Sequence, residues 1–94
     1  MEQNRSLAQG AGTNVVVNVY HDRVEFVSGW QGQKIVAVNL RQVVDATVRG
    51  VINATLAVET NDGRRIEVER MAPPDARQIK ATIEQQKKTA GLYE

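Results

Sequence analysis

From Asn14 to Arg70 the chain is cut into short apolar segments: NVVVNVY, RVEFVS, QKIVAV, VVDATVR, NATLAVET and RRIEVER. Each is six to eight residues long, rich in β-branched types, and most are bounded by turn residues. Branched side chains sit well on a pleated surface, so the pattern predicts six strands. After Pro73-Pro74 the period lengthens. In DARQIKATIEQQKKTA, Ala76, Ile79, Ile83 and Ala90 fall on one stripe, which predicts a helix over about residues 74–90. Asp75 suits its positive end, Lys87 and Lys88 its negative end, and Gly91 a stop. Residues 1–13, MEQNRSLAQGAGT, show no period and are expected to form a mobile tail ahead of a single domain over 14–94.

Strand register follows from turn length, because a slip of one residue moves every side chain to the other face. A two-residue Asp62-Gly63 loop would set Glu59 against Ile66. A three-residue loop, Asn61-Asp62-Gly63, pairs Val58 with Ile66, Leu56 with Val68 and Glu59 with Arg65. That loop class places Gly in the left-handed position at its end, where Gly63 stands. In the first hairpin, Val19 faces Val24 and Val17 faces Phe26, around either His21-Asp22 or a four-residue Tyr20–Arg23 loop. In the next, Phe26 faces Val36 and Val24 faces Val38. The expected core is Val17, Val19, Val24, Phe26, Val36, Val38, Leu40, Val48, Leu56, Val58, Ile66, Val68, Ile79 and Ile83. A single helix covers a flat six-stranded sheet poorly. The predicted fold is therefore mainly β with one C-terminal helix: a bent antiparallel sheet, or partly open barrel, of six to seven strands capped by the helix.

Composition narrows the chemistry. The 94 residues hold no cysteine and one histidine, and the net charge is +1 with both signs interspersed. Thiolate chemistry, disulfides and a His/Cys metal site are excluded. No basic excess marks a nucleic-acid partner. No phosphate-binding glycine loop is present, since Gly29-Trp30-Gln31-Gly32 has the wrong spacing and separates two strands. His21-Asp22 lacks a nearby nucleophile. The expectation is a non-catalytic protein that needs no cofactor. With no apolar run of membrane-spanning length, the cytoplasm is its expected location, with a membrane surface as the second possibility.

The order RVEFVSGWQGQKIVAV, NLRQVVDATVRG, NATLAVETNDGRRIEVE and PPDARQIKATI resembles the small bacterial pleckstrin-homology-like domains. The matching positions are Leu40, Val43, Ala46 and Val48, the turn Asn61-Asp62-Gly63, and the helix positions Ala76, Ile79 and Ile83. The likeness spans roughly residues 15–88 and rests on apolar spacing and turn placement. It implies a binding scaffold of seven strands, one more than the pattern counts. Lipid-binding members carry a basic cluster at the first hairpin turn, but here that turn reads Tyr20-His21-Asp22-Arg23. Lipid binding is therefore not carried over.

Two functional readings follow. The first is a protein-interaction or self-assembly module whose partner, a peptide, a protein or a second copy, adds to an exposed sheet edge beside the helix. Its candidate backbone is Val44, Asp45, Ala46 and Thr47, supported by any uncovered surface of Ile79 and Ile83, and Thr47→Pro is expected to remove the edge donor or distort the strand, weakening association if the domain still folds. The second is an adaptor for anionic lipid. It would use Lys80, Lys87 and Lys88 on the helix, Arg64 and Arg65 by the hairpin, and Trp30 as a surface anchor, unless Trp30 folds back over the open end.

Overall fold

The computed structural model describes residues 6–29 and 34–89. Seven strands precede one helix: β1 (Ala8–Gly12), β2 (Val15–Val19), β3 (Arg23–Ser28), β4 (Lys34–Asn39), β5 (Val43–Arg49), β6 (Ala54–Thr60), β7 (Arg65–Met71) and α1 (Pro73–Thr89). They form two antiparallel sheets, ordered β1-β2-β3-β4 and β5-β6-β7. A 3₁₀ turn, Leu40–Gln42, links the sheets in sequence. It is closed by reciprocal bonds: the Arg41 N–H donates to Asn39 Oδ1, and the Asn39 N–H donates to Gln42 Oε1.

The hairpin registers are those the apolar pattern dictates. Val58 faces Ile66, Leu56 faces Val68 and Glu59 faces Arg65 across a turn in which Gly63 takes φ +92°. Val19 faces Val24, and Val17 faces Phe26. The Tyr20 N–H donates to the Arg23 carbonyl at 2.7 Å, which leaves His21-Asp22 at the tip of that hairpin. The Phe26–Val36 and Val24–Val38 pairs hold as well. Of the expected core, Val36, Val48 and Ile66 are only half-buried and pack against the rest, which is buried.

The expected tail is corrected over residues 8–12. Ala8–Gly12 is a strand, paired with β2 from Ala8–Val19 to Gly12–Val15. It joins the two sheets: the Thr13 N–H donates to the Glu69 carbonyl at 2.8 Å, and α1 packs across β1 as well as β5 and β6. Small residues are what this position admits. A Cβ on Gly10 would lie 2.8 Å from Ile79 Cδ1, and one on Gly12 would strike the Glu69 carbonyl oxygen. No hydrophobic run marks such a strand, because its neighbours supply the apolar volume.

The helix buries Ala76, Ile79 and Ile83 against both sheets, together with Lys87. Among the described residues no helix is long and apolar enough to cross a membrane.

Two substitutions test this packing by urea unfolding. Ile79→Ala should cost about 2–5 kcal/mol through the cavity it opens. Gly10→Val should cost about 1–3 kcal/mol through overpacking. A mobile tail over 1–13 predicts instead no change for Gly10→Val.

Candidate functional site

Among the described residues, β5 is hydrogen-bonded to a neighbouring strand on one side only, to β6. Which of its backbone groups face outward follows from ladder parity. The Thr60 N–H donates to the Arg64 carbonyl, so Thr60, Val58 and Leu56 direct their backbone groups to β7, and Glu59, Ala57 and Thr55 direct theirs to β5. Thr47 lies opposite Ala57 and is bonded inward, whereas Ala46 and Val48 lie opposite Val58 and Leu56 and present their N–H and C=O groups to the free edge. Of the two expected effects of Thr47→Pro, loss of an edge donor is therefore corrected, while distortion of the strand is the effect this parity implies. That substitution would break the β5–β6 ladder and remove no donor from the free edge.

The four predicted edge residues have different fates. Val44 is the extra residue of a bulge between Val43–Thr60 and Asp45–Glu59, and its side chain is 59% exposed. Asp45 is exposed, and its Oδ1 accepts the Ala46 N–H at 2.9 Å. Ala46 turns its methyl into the core, and Thr47 is half-exposed. Bulges and inward-turned polar groups are common ways of blunting an edge. Ile79 and Ile83 are covered completely, as the expected core has them, and so lend the edge no apolar floor.

Lys87 is the largest correction. The sequence offers it as an anionic-lipid contact on the helix, but it is 5% exposed, and its ammonium donates to the Leu40 carbonyl at 3.3 Å and to the Val43 carbonyl. The last turns of α1 thus cover the first carbonyl of the β5 edge. Desolvation lowers the Lys87 pKa below the ordinary 10.5.

The other basic candidates are spoken for or dispersed. Lys80 pairs with Glu84 at 2.7 Å and Arg64 with Asp62 at 3.2 Å. Arg65 is held by Glu59 and by Glu67, the latter at 2.8 Å. The Arg65 hydrogen bond holds Glu67 below the usual carboxylate range, and a Thr60 hydroxyl bond followed by Arg64 does the same for Asp62. Lys88 is exposed. Arg64 and Arg65 belong to the β6–β7 hairpin, whereas α1 packs mainly on β1, β5 and β6. At the first hairpin turn, Arg23 bonds Glu25 at 2.7 Å and Asp22 at 2.9 Å and lies 4.2 Å from the Tyr20 ring centroid. Trp30 lies outside the described residues.

A feature missed in the sequence completes the edge. Beyond Arg49, the β5–β6 turn holds Val51 and Ile52, 92% and 86% exposed. Gly50 takes φ +111°, and a Cβ there would strike the Asn53 carbonyl, so the turn is tightly closed beneath the two aliphatic side chains. The signal was available: two branched apolar residues where turn chemistry favours Asn, Asp or Gly. Three of the five large apolar residues exposed among the described residues, Val44, Val51 and Ile52, thus bracket β5, the others being Leu7 and Ile35.

Elsewhere, Gln9, Gly10, Ala11, Val16 and Asp75 line an open depression of about 340 Å³. It collects one carboxylate and no base or nucleophile. Among the described residues no group of three His, Asp or Glu side chains is placed to hold a metal ion.

Replacing Lys87 by Met leaves the Leu40 and Val43 carbonyls short of a donor and should cost about 1–3 kcal/mol at neutral pH. The pH dependence has a definite sign. Between the depressed folded value and 10.5 the unfolded chain binds the proton more tightly, so wild-type stability should rise with pH across that window. Chemical denaturation across alkaline pH should show this rise in the wild type and its loss in Lys87→Met.

No family model matches the chain, and no curated protein matches it.

Proposed function

We propose that this chain is a non-catalytic interaction module of pleckstrin-homology-like type, which recruits an extended protein segment by strand addition to the β5 edge beside α1. The observation that carries the reading is one strand edge whose outward backbone groups are bonded to no other strand among the described residues, bracketed by exposed aliphatic side chains. The Ala46 carbonyl and the Val48 N–H and carbonyl face away from β6. Val44 stands at one end, and Val51 with Ile52 at the other. Backbone bonds supply affinity in such a mode, and apolar side chains at the ends supply selectivity.

The seven-stranded order and terminal helix support the pleckstrin-like comparison, since the strand missing from the sequence count is β1. The helix packs on β5, the first strand of the three-stranded sheet, as an edge beside the helix requires. The lipid reading has less support: four of its five basic candidates are engaged by carboxylates or backbone carbonyls.

The test is selection of binders from a random peptide library, mapped by amide exchange. Selected peptides should slow exchange at Val48, and Ile52→Asp should weaken them by about tenfold through loss of one buried aliphatic contact. Binders that protect β4 around Ile35 and leave Val48 unchanged would overturn the assignment.

A further inference from the structure

The β5 edge is complementary to itself. We infer, resting on the strand-addition reading above, that its partner is a second copy of this chain, with β5 paired antiparallel to β5 about a two-fold axis through Val48.

Parity admits few registers, because only Ala46, Val48 and the Gly50 N–H offer backbone groups at the usable part of the edge. An axis through Ala46 needs that residue's N–H, which the Asp45 carboxylate occupies, and carries the pairing towards Val43, whose carbonyl Lys87 covers. An axis through Arg49 sets two guanidinium groups face to face, which like charges resist. An axis through Thr47 pairs Ala46 with the partner's Val48, and again half of those bonds call on the occupied Ala46 N–H. An axis through Val48 lets the two Val48 residues exchange a reciprocal pair of bonds. It also lets each Ala46 carbonyl accept the N–H of the partner's Gly50. That register makes four bonds from open groups and leaves aside only the Ala46 N–H, which Asp45 holds, and the Gly50 carbonyl opposite it, whereas the Thr47 axis draws only two bonds from the same Ala46–Val48 groups.

The side chains agree with it. Thr47 faces the partner's Arg49, and Asp45 lies diagonally from the same guanidinium, within reach of a long side chain. Arg49 is well exposed, and its contact with Glu67 is a long 3.9 Å. Val44 is carried towards the partner's Val51 and Ile52, so the exposed aliphatic residues at opposite ends of β5 cover one another. Closure by a two-fold axis also consumes both β5 edges and stops growth. A contact of one short strand and two turn residues covers less than the roughly 800 Å² per partner of a standard interface. Association should therefore be reversible and concentration-dependent.

The absence of native cysteine gives a clean test. Thr47 and the partner's Arg49 form a non-hydrogen-bonded pair, whose side chains stand closest in an antiparallel ladder. T47C and R49C are made separately on the full chain, checked for wild-type melting, mixed in equal amounts in a glutathione redox buffer, and weighed by mass spectrometry. The heterodimer should exceed either homodimer by about tenfold, what one additional net hydrogen bond is worth as an equilibrium ratio. A dominant T47C homodimer, a dominant R49C homodimer or a statistical mixture of all three would overturn the Val48 register. No disulfide, together with a monomeric wild-type mass in sedimentation at every concentration, would overturn self-pairing altogether. The peptide-selection experiment decides the broader strand-addition reading separately, since peptides that protect Val48 on a monomeric domain would uphold that reading while this inference fails.

Discussion

The close approach of β1 to β7 and α1 is the constraint on which the rest of the architecture depends. Two sheets of four and three strands share no continuous ladder, and the Thr13–Glu69 backbone bond joins them where β1 reaches β7. That approach requires Gly10 beneath Ile79 and Gly12 beneath the Glu69 carbonyl. With the sheets drawn together on this side, the helix can lie over both and bury Ala76, Ile79 and Ile83 at once. A side chain of any size at Gly10 would push the helix away and open the core that the valines of β2 and β3 line.

Joining the sheets at β1 and β7 leaves β4 and β5 as their outer strands. The chain treats β5 unevenly along its length. Its beginning is closed by a bulge, by an aspartate folded back on the backbone and by a lysine from the helix. Its end has none of these and runs into a turn carrying two aliphatic side chains. Such an uneven edge limits which registers a visiting strand can take, because each closed group removes the pairings that need it.

Much of the fold was legible because hairpin registers are local. Turn length and the alternation of valines around Gly63 and His21-Asp22 fix who faces whom within a few residues. What escaped depends on contacts distant in sequence. β1 reads as a tail because its apolar surroundings belong to Ile79, Met71 and Val68 rather than to itself. Lys87 reads as a solvated residue because the carbonyls it serves lie more than forty positions earlier. For the candidate site, the position of β5 at an edge could be anticipated from strand order. The direction of each N–H could not, since the bulge at Val44 changes the parity between Val43 and Asp45. Val51 and Ile52 were readable as a departure from turn composition, but only three-dimensional structure shows how fully they stand exposed.

Lys87 also ties the helix end to the length of the open edge. Its hold on the Leu40 and Val43 carbonyls comes from the final turns of α1, the part of any helix most prone to fray. Each fraying event withdraws the ammonium and lengthens the row of unserved carbonyls running from the 3₁₀ turn into β5. Sequence changes that weaken those turns, even on their solvent side, would therefore appear as a stickier protein rather than as a less helical one. Such a domain would aggregate before it measurably unfolds.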